Sequence, residues 1–330
     1  MIAAGFLALP AADDALAATL RTQVRAVAAR GLLGFDARRL PAPLAAAFAA
    51  HQARLRRDRA AALALCADLD VLIGALVLTS PPHAAAAARG LLARLDRGQP
   101  YDDGVPITAS LPALTLARVD RNPIADLEAH PDKHGNALDL GGHAPTAWAA
   151  ALADALAAIT AALPALAAEL AVTLERVVPV GFDRERHLSC SYREAPGLVY
   201  LSLHPDPLTL AEAIVHETQH GKLNLLSWLD PILANDPDER VPSPARPDLR
   251  PLYGVLLAAH AFIPVAALHH QLAALHHPLA ATASFDRRRR QVLDGNAAAL
   301  ATLASHAHPT AVGAKVIAAL VDLHAQLRAS

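Results

Sequence analysis

Cysteine is scarce in this chain. Cys66 and Cys190 are the two present in 330 residues, far apart and in no Cys-x-x-Cys pair, which argues against a disulfide scaffold, a zinc ribbon or an iron–sulfur cluster. Aromatic residues make up only 4%, although the hydrophobic share is 54%. Alanine supplies much of that share and is the best helix former, so the composition points to a mainly helical protein. No charge of one sign dominates: the net charge is -2, which gives no reason to expect nucleic acid or a membrane surface as partner. The run Arg287–Arg290 is short and reads as a solvated helix face. No stretch of about 18 consecutive strongly apolar residues suggests a membrane span, and Met1–Pro10 is apolar but lacks the basic segment of a signal peptide. These absences lead to the expectation of a cytoplasmic protein.

What is there is helix punctuated by proline and glycine. The pattern predicts helices near 16–30, 43–57, 60–78 and 84–97, a long alanine-rich helix over 145–174, and further helices over 252–275, 285–306 and 310–328. Short apolar or alternating runs at 114–119, 176–182, 187–192 and 198–203 predict strands. The expected class is therefore mainly α (α+β). A helical N-terminal region, 1–105, would precede a catalytic region, 106–330, with a small β-sheet next to the helix that carries the chemistry.

That helix contains His216-Glu217-Thr218-Gln219-His220, an H-E-x-x-H. Residues four apart on a helix lie one above the other, so the imidazoles of His216 and His220 can chelate one metal ion, with Glu217 close by as a general base. Asp206-Pro207 is a good helix start, with Asp206 as N-cap and Pro207 at the first helical position. A catalytic site needs a third protein ligand. The extended motif with Gly at 223 and His at 226 is absent, because both positions are leucine. A downstream helical glutamate is also absent, because none follows Glu239. The best remaining donor is His260, in an otherwise apolar helix that should bend at Pro264, with Tyr253 two turns earlier on the same face. A core histidine satisfied by a hydrogen bond is the alternative, and Asp248 is the reserve ligand. His269, His270, His276, His277, His306 and His308 read as surface residues near helix ends. The pair His130 and His134 reads as part of an ordered loop, because Pro131 and Gly135 oppose a helix there. Ligand type alone leaves zinc and non-haem iron both open.

The segment His216-Glu217-Thr218-Gln219-His220-Gly221-Lys222-Leu223 resembles the H-E-x-Q-H-x-K-L segment of the HExxH-type peptide-modification proteins. Those proteins occur in clusters that make ribosomally synthesised, post-translationally modified peptides (RiPPs). Arg246-Pro247-Asp248-x-Arg250-Pro251-Leu252 is similar to their second block, and Asn122-Pro123 with His130-Pro131-Asp132-Lys133 to their upstream segment. The resemblance spans roughly residues 120–270. It implies an Fe(II)/α-ketoglutarate-dependent hydroxylase acting on the β-carbon of a residue in a ribosomal precursor peptide. It further implies His216, His220 and His260 as iron ligands, Glu217 at or beside the metal, and Arg246 or Arg250 as the guanidinium clamp on a carboxylate of α-ketoglutarate. Tyr253 is a candidate catalytic residue, and Ser189, Ser191 and Tyr200 are candidate substrate-binding residues. A zinc-dependent HExxH metallopeptidase and a non-enzymatic helical peptide-binding protein are the competing readings.

Overall fold

A computed structural model describes residues 14–124, 138–242 and 248–329. Among them are eleven α-helices and a five-stranded mixed sheet, so the chain is mainly α (α+β), as its composition predicts. The helices are α1 Asp14–Gly34, α2 Ala42–Arg57, α3 Arg59–Leu65, α4 Leu69–Val77, α5 Ala84–Arg97, α6 Pro145–Ala162, α7 Pro164–Thr173, α8 Pro207–Ser227, α9 Leu252–Ala274, α10 Phe285–His306 and α11 Ala311–Ala329. The strands are β1 Val105–Thr108, β2 Leu111–Leu116, β3 Arg176–Phe182, β4 Ser189–Cys190, β5 Leu198–Leu203, β6 Arg240–Val241 and β7 Arg250–Pro251.

Two helices expected to be continuous are broken, each for a local reason. Asp68 N-caps α4 by accepting from the amide of Val71 at 3.1 Å, and it also takes the guanidinium of Arg94. The 60–78 helix is thereby split into α3 and α4. Pro164 occupies the first position of α7, where its missing N–H is tolerated, and this divides the 145–174 helix. By length and composition alone, α6 and α9 could cross a membrane, a property that the search for unbroken apolar runs did not reveal.

The chain forms two compact units that interleave along the sequence. One comprises residues 19–149 and 175–203 and contains the large sheet; the other comprises residues 1–18, 150–174 and 204–330. The expected boundary at 105/106 falls inside the first of these. The strand order β1-β2-β3-β5-β4 shows why. β1 and β2 form an antiparallel hairpin, but β2 pairs with β3 in parallel, Leu116 opposite Val177. Parallel pairing requires a long crossover, so the sheet is built from segments on both sides of it. β3 and β5 are also parallel, with Val178 opposite Tyr200, and every residue of β5 is buried.

In the other unit α9 packs against α8, α10 and α11, and α7 packs on α8. Fourteen of its residues, His260 and His269 among them, are buried. The helix continues through Pro264. Beside that proline, the Asn296 side chain from α10 donates to the carbonyl of Phe262 at 3.0 Å.

Candidate functional site

The helix bearing H-E-x-x-H starts as its sequence predicts. Asp206 accepts from the amide of Leu208 at 3.0 Å, and Pro207 takes the first position. This fixes the phase of α8 and sends Glu212, His216, Gln219 and Leu223 along one stripe, at the helical spacing of four, three and four residues. The rings of His216 and His220 meet edge to face, with centroids 4.3 Å apart. Both residues are half-buried, and the Nδ1 atom of His220 is enclosed without a hydrogen-bond partner among the described residues. Desolvation holds the His220 imidazole below the usual histidine value, and the Glu217 carboxylate opposes this only in part. A neutral imidazole is the form that binds metal. Glu217, next to the pair, is 3% exposed. The donor chemistry, ring spacing and remaining exposure of His216 and His220 fit a metal ion held at two positions.

The third position is not assembled. Among the described residues, no group of three or more His, Cys, Asp or Glu side chains is placed to share one ion. Phe262 of α9 packs its ring on that of His216, with centroids 4.5 Å apart. His260 stands two residues earlier on the same helix and is fully buried. Tyr253, half-buried, shares the His260 side of α9. Arg250 of β7 forms an ion pair with Asp248 at 2.8 Å, so both of these candidates engage each other. Arg246 and the loop with His130 and His134 lie outside the described residues.

The candidate substrate residues belong to the unit that contains the sheet. Ser189 is on the edge strand β4, opposite Leu201, and Ser191 follows it; both are half-buried. Tyr200 has no exposed surface. Its hydroxyl donates to Asp120 at 2.8 Å and accepts from Asn122 at 3.2 Å. Burial, together with the Asp120 charge, pushes its phenol well above the usual tyrosine value. Tyr200 is a core residue, and its place in the fully buried strand β5 explains why.

No family model matches the chain, and no curated protein is detectably similar to it.

Several groups around the histidine pair escaped the sequence reading. His269, expected at the surface, is fully buried and bonds through Nε2 to Glu212 at 2.7 Å. Arg288, expected on a solvated face, donates to the same carboxylate at 2.6 and 2.9 Å. Burial alone would raise the Glu212 pKa, but hydrogen bonds from His269 and Arg288 outweigh it and hold the carboxyl below its usual value. This cluster joins α8, α9 and α10. It borders a cleft of about 250 Å³ that Asp206, Thr209, Ser284 and Arg287 also line. On the other flank, Lys222 donates to Glu169 of α7 at 3.0 Å, both side chains being enclosed. Gln219 is fully buried, and neither its Oε1 nor its Nε2 has a hydrogen-bond partner among the described residues. Such a group costs about 1–3 kcal/mol.

Proposed function

We propose that the chain is a metal-dependent peptide-modifying oxygenase, an Fe(II)/α-ketoglutarate-dependent hydroxylase of a side-chain β-carbon in a ribosomal peptide. The observation that supports a metal enzyme is the half-open pair His216 and His220 on α8, facing ring to ring at 4.3 Å with Glu217 beside it. The choice of iron and of the hydroxylase reaction rests on the resemblance of residues 120–270. His216 and His220 would hold the ion, and His260 is the donor we assign to the third position. Bound ferrous iron, with α-ketoglutarate and O2, supplies the oxidation of an unactivated C–H bond.

The chain's own residues do the rest. His220 stays neutral because its ring is desolvated. Phe262 packs its ring against one side of the His216 imidazole. Glu217 would accept a hydrogen bond from a group bound at the pair. The guanidinium groups of Arg250 and Arg246 are the proposed carboxylate clamp, and in Arg250 the fork now engages Asp248.

The adjacency of Glu217 to the pair also suits a zinc peptidase, in which that carboxylate is the general base. One experiment separates the two. The protein is reconstituted anaerobically with Fe(II), supplied with α-ketoglutarate, O2 and a library of ribosomal precursor peptides, and assayed for succinate and peptide mass. The hydroxylase reading expects succinate formation and a gain of one oxygen on a peptide, both lost on omission of O2. Peptide cleavage supported by Zn(II), indifferent to O2 and abolished by Glu217→Gln, would overturn it.

A further inference from the structure

We infer that the last turn of α2, with the short helical segments on either side of it, is a docking surface for an acidic segment of a peptide. The inference rests on the peptide reading above only in choosing a peptide among polyanions. Residues 36–59 carry six arginines, Arg38, Arg39, Arg54, Arg56, Arg57 and Arg59, against two aspartates, in a chain whose net charge is -2. All six are exposed. The fold gathers them. Gln52 and Arg56 of α2 donate to the carbonyls of Leu32, Leu33 and Phe35, at and just after the end of α1. This seats the end of α2 beside the 3-10 helix Ala37–Arg39. Arg59 then opens α3 directly after Asp58.

Local structure accounts for half of these charges. Arg38 is held by Asp36 at 2.9 Å, Arg54 reaches His51 at 2.8 Å, and Arg56 satisfies the Leu33 carbonyl. Arg39, Arg57 and Arg59 have no acidic partner among the described residues. The Asp58 carboxylate accepts from the amide of Ala61 at 2.9 Å as the N-cap of α3. A helix C-terminus favours a cation, which gives Arg57 a modest structural use. Arg59 has the opposite placement, at the positive end of α3, where a cation is disfavoured. Crowded like charges repel, and a polyanion on this surface relieves them. An acidic peptide fits it better than nucleic acid does. Bases are held by stacking on aromatic side chains, but Phe35 and Phe48 are both buried. The guanidinium forks match carboxylates. Leu63, 40% exposed, stands one turn after Arg59 on α3 and offers an apolar contact beside them.

The test is a fluorescence-anisotropy titration of the full-length chain with two labelled synthetic peptides, one of repeating Glu-Asp-Leu and one of repeating Gln-Asn-Leu. The acidic peptide should bind more tightly, and added NaCl should weaken it by screening exposed charges. The triple variant Arg39→Gln, Arg57→Gln, Arg59→Gln should bind it roughly 3- to 100-fold more weakly, the loss of three exposed ion pairs, at an unchanged Tm. Should that variant melt lower, Arg57→Gln and Arg59→Gln singly decide by the same titration. No binding of the acidic peptide, equal binding of the two peptides, or equal binding by wild type and variant overturns the inference. Tighter binding of a single-stranded oligonucleotide, or of phosphatidylglycerol vesicles, overturns it in favour of that partner. Neither metal nor turnover enters the measurement, so its failure is distinct from a failure of the hydroxylase reading, which the succinate assay detects.

Discussion

At the scale of single residues, the site divides into groups that are already satisfied and groups that await something. Tyr200 belongs to the first kind, because Asp120 and Asn122 use its hydroxyl in both directions. Tyr200→Phe should therefore lower stability by about 1–3 kcal/mol, measured by urea unfolding, and leave substrate affinity unchanged. A raised KM at unaltered stability would return Tyr200 to the substrate site. His220 belongs to the second kind, its Nδ1 having no hydrogen-bond partner among the described residues. The His220 imidazole is half-buried and its desolvation lowers its pKa, whereas His269, equally a histidine in an apolar helix, is consumed by Glu212. The sequence offers no means of telling these histidines apart. The partner of His269 lies 57 residues earlier, and only the packing of α9 on α8 brings the two together.

At the scale of elements, α8 was the most legible part of the chain. Its N-cap, its first-position proline and its histidine spacing all act within a few residues. The helix breaks at Asp68 and Pro164 were less legible, since caps and prolines decide them against a strong alanine background. A third donor beside the histidine pair was the least legible. An apolar run around His260 implies that it is buried, but the rotation of α9 against α8 is set by packing, which brings the Phe262 ring onto His216. The Glu212 cluster that ties α8 to α9 and α10 has a pH signature. Its carboxyl has a depressed pKa in the folded state, so its contribution is complete above the unfolded value of about 4.3 and is lost as pH falls through the lower folded value. Glu212→Gln should destabilise the protein by about 1.5–3 kcal/mol near neutrality, with the gap to wild type closing below pH ~4. Melts across that range would show it; a gap constant with pH would mean the ionised carboxylate contributes nothing.

At the scale of the whole molecule, composition decided the class, because an alanine-rich chain poor in aromatics folds mostly as helix. The division into units could not be read the same way. Strands β3 and β5 join β1 and β2 in one sheet although about sixty residues separate β2 from β3, and no local pattern announces a parallel crossover. The functional reading likewise depends on a small part of the chain: a histidine pair on one helix, and a resemblance confined to residues 120–270. It can be tested before any peptide is known. Anaerobic titration of the metal-free chain with Fe(II) and α-ketoglutarate should yield one iron per chain and the visible charge-transfer absorption of a 2-oxo acid chelated to ferrous iron, both lost in His216→Ala. Iron binding without that absorption, or equal binding by His216→Ala, would contradict the account.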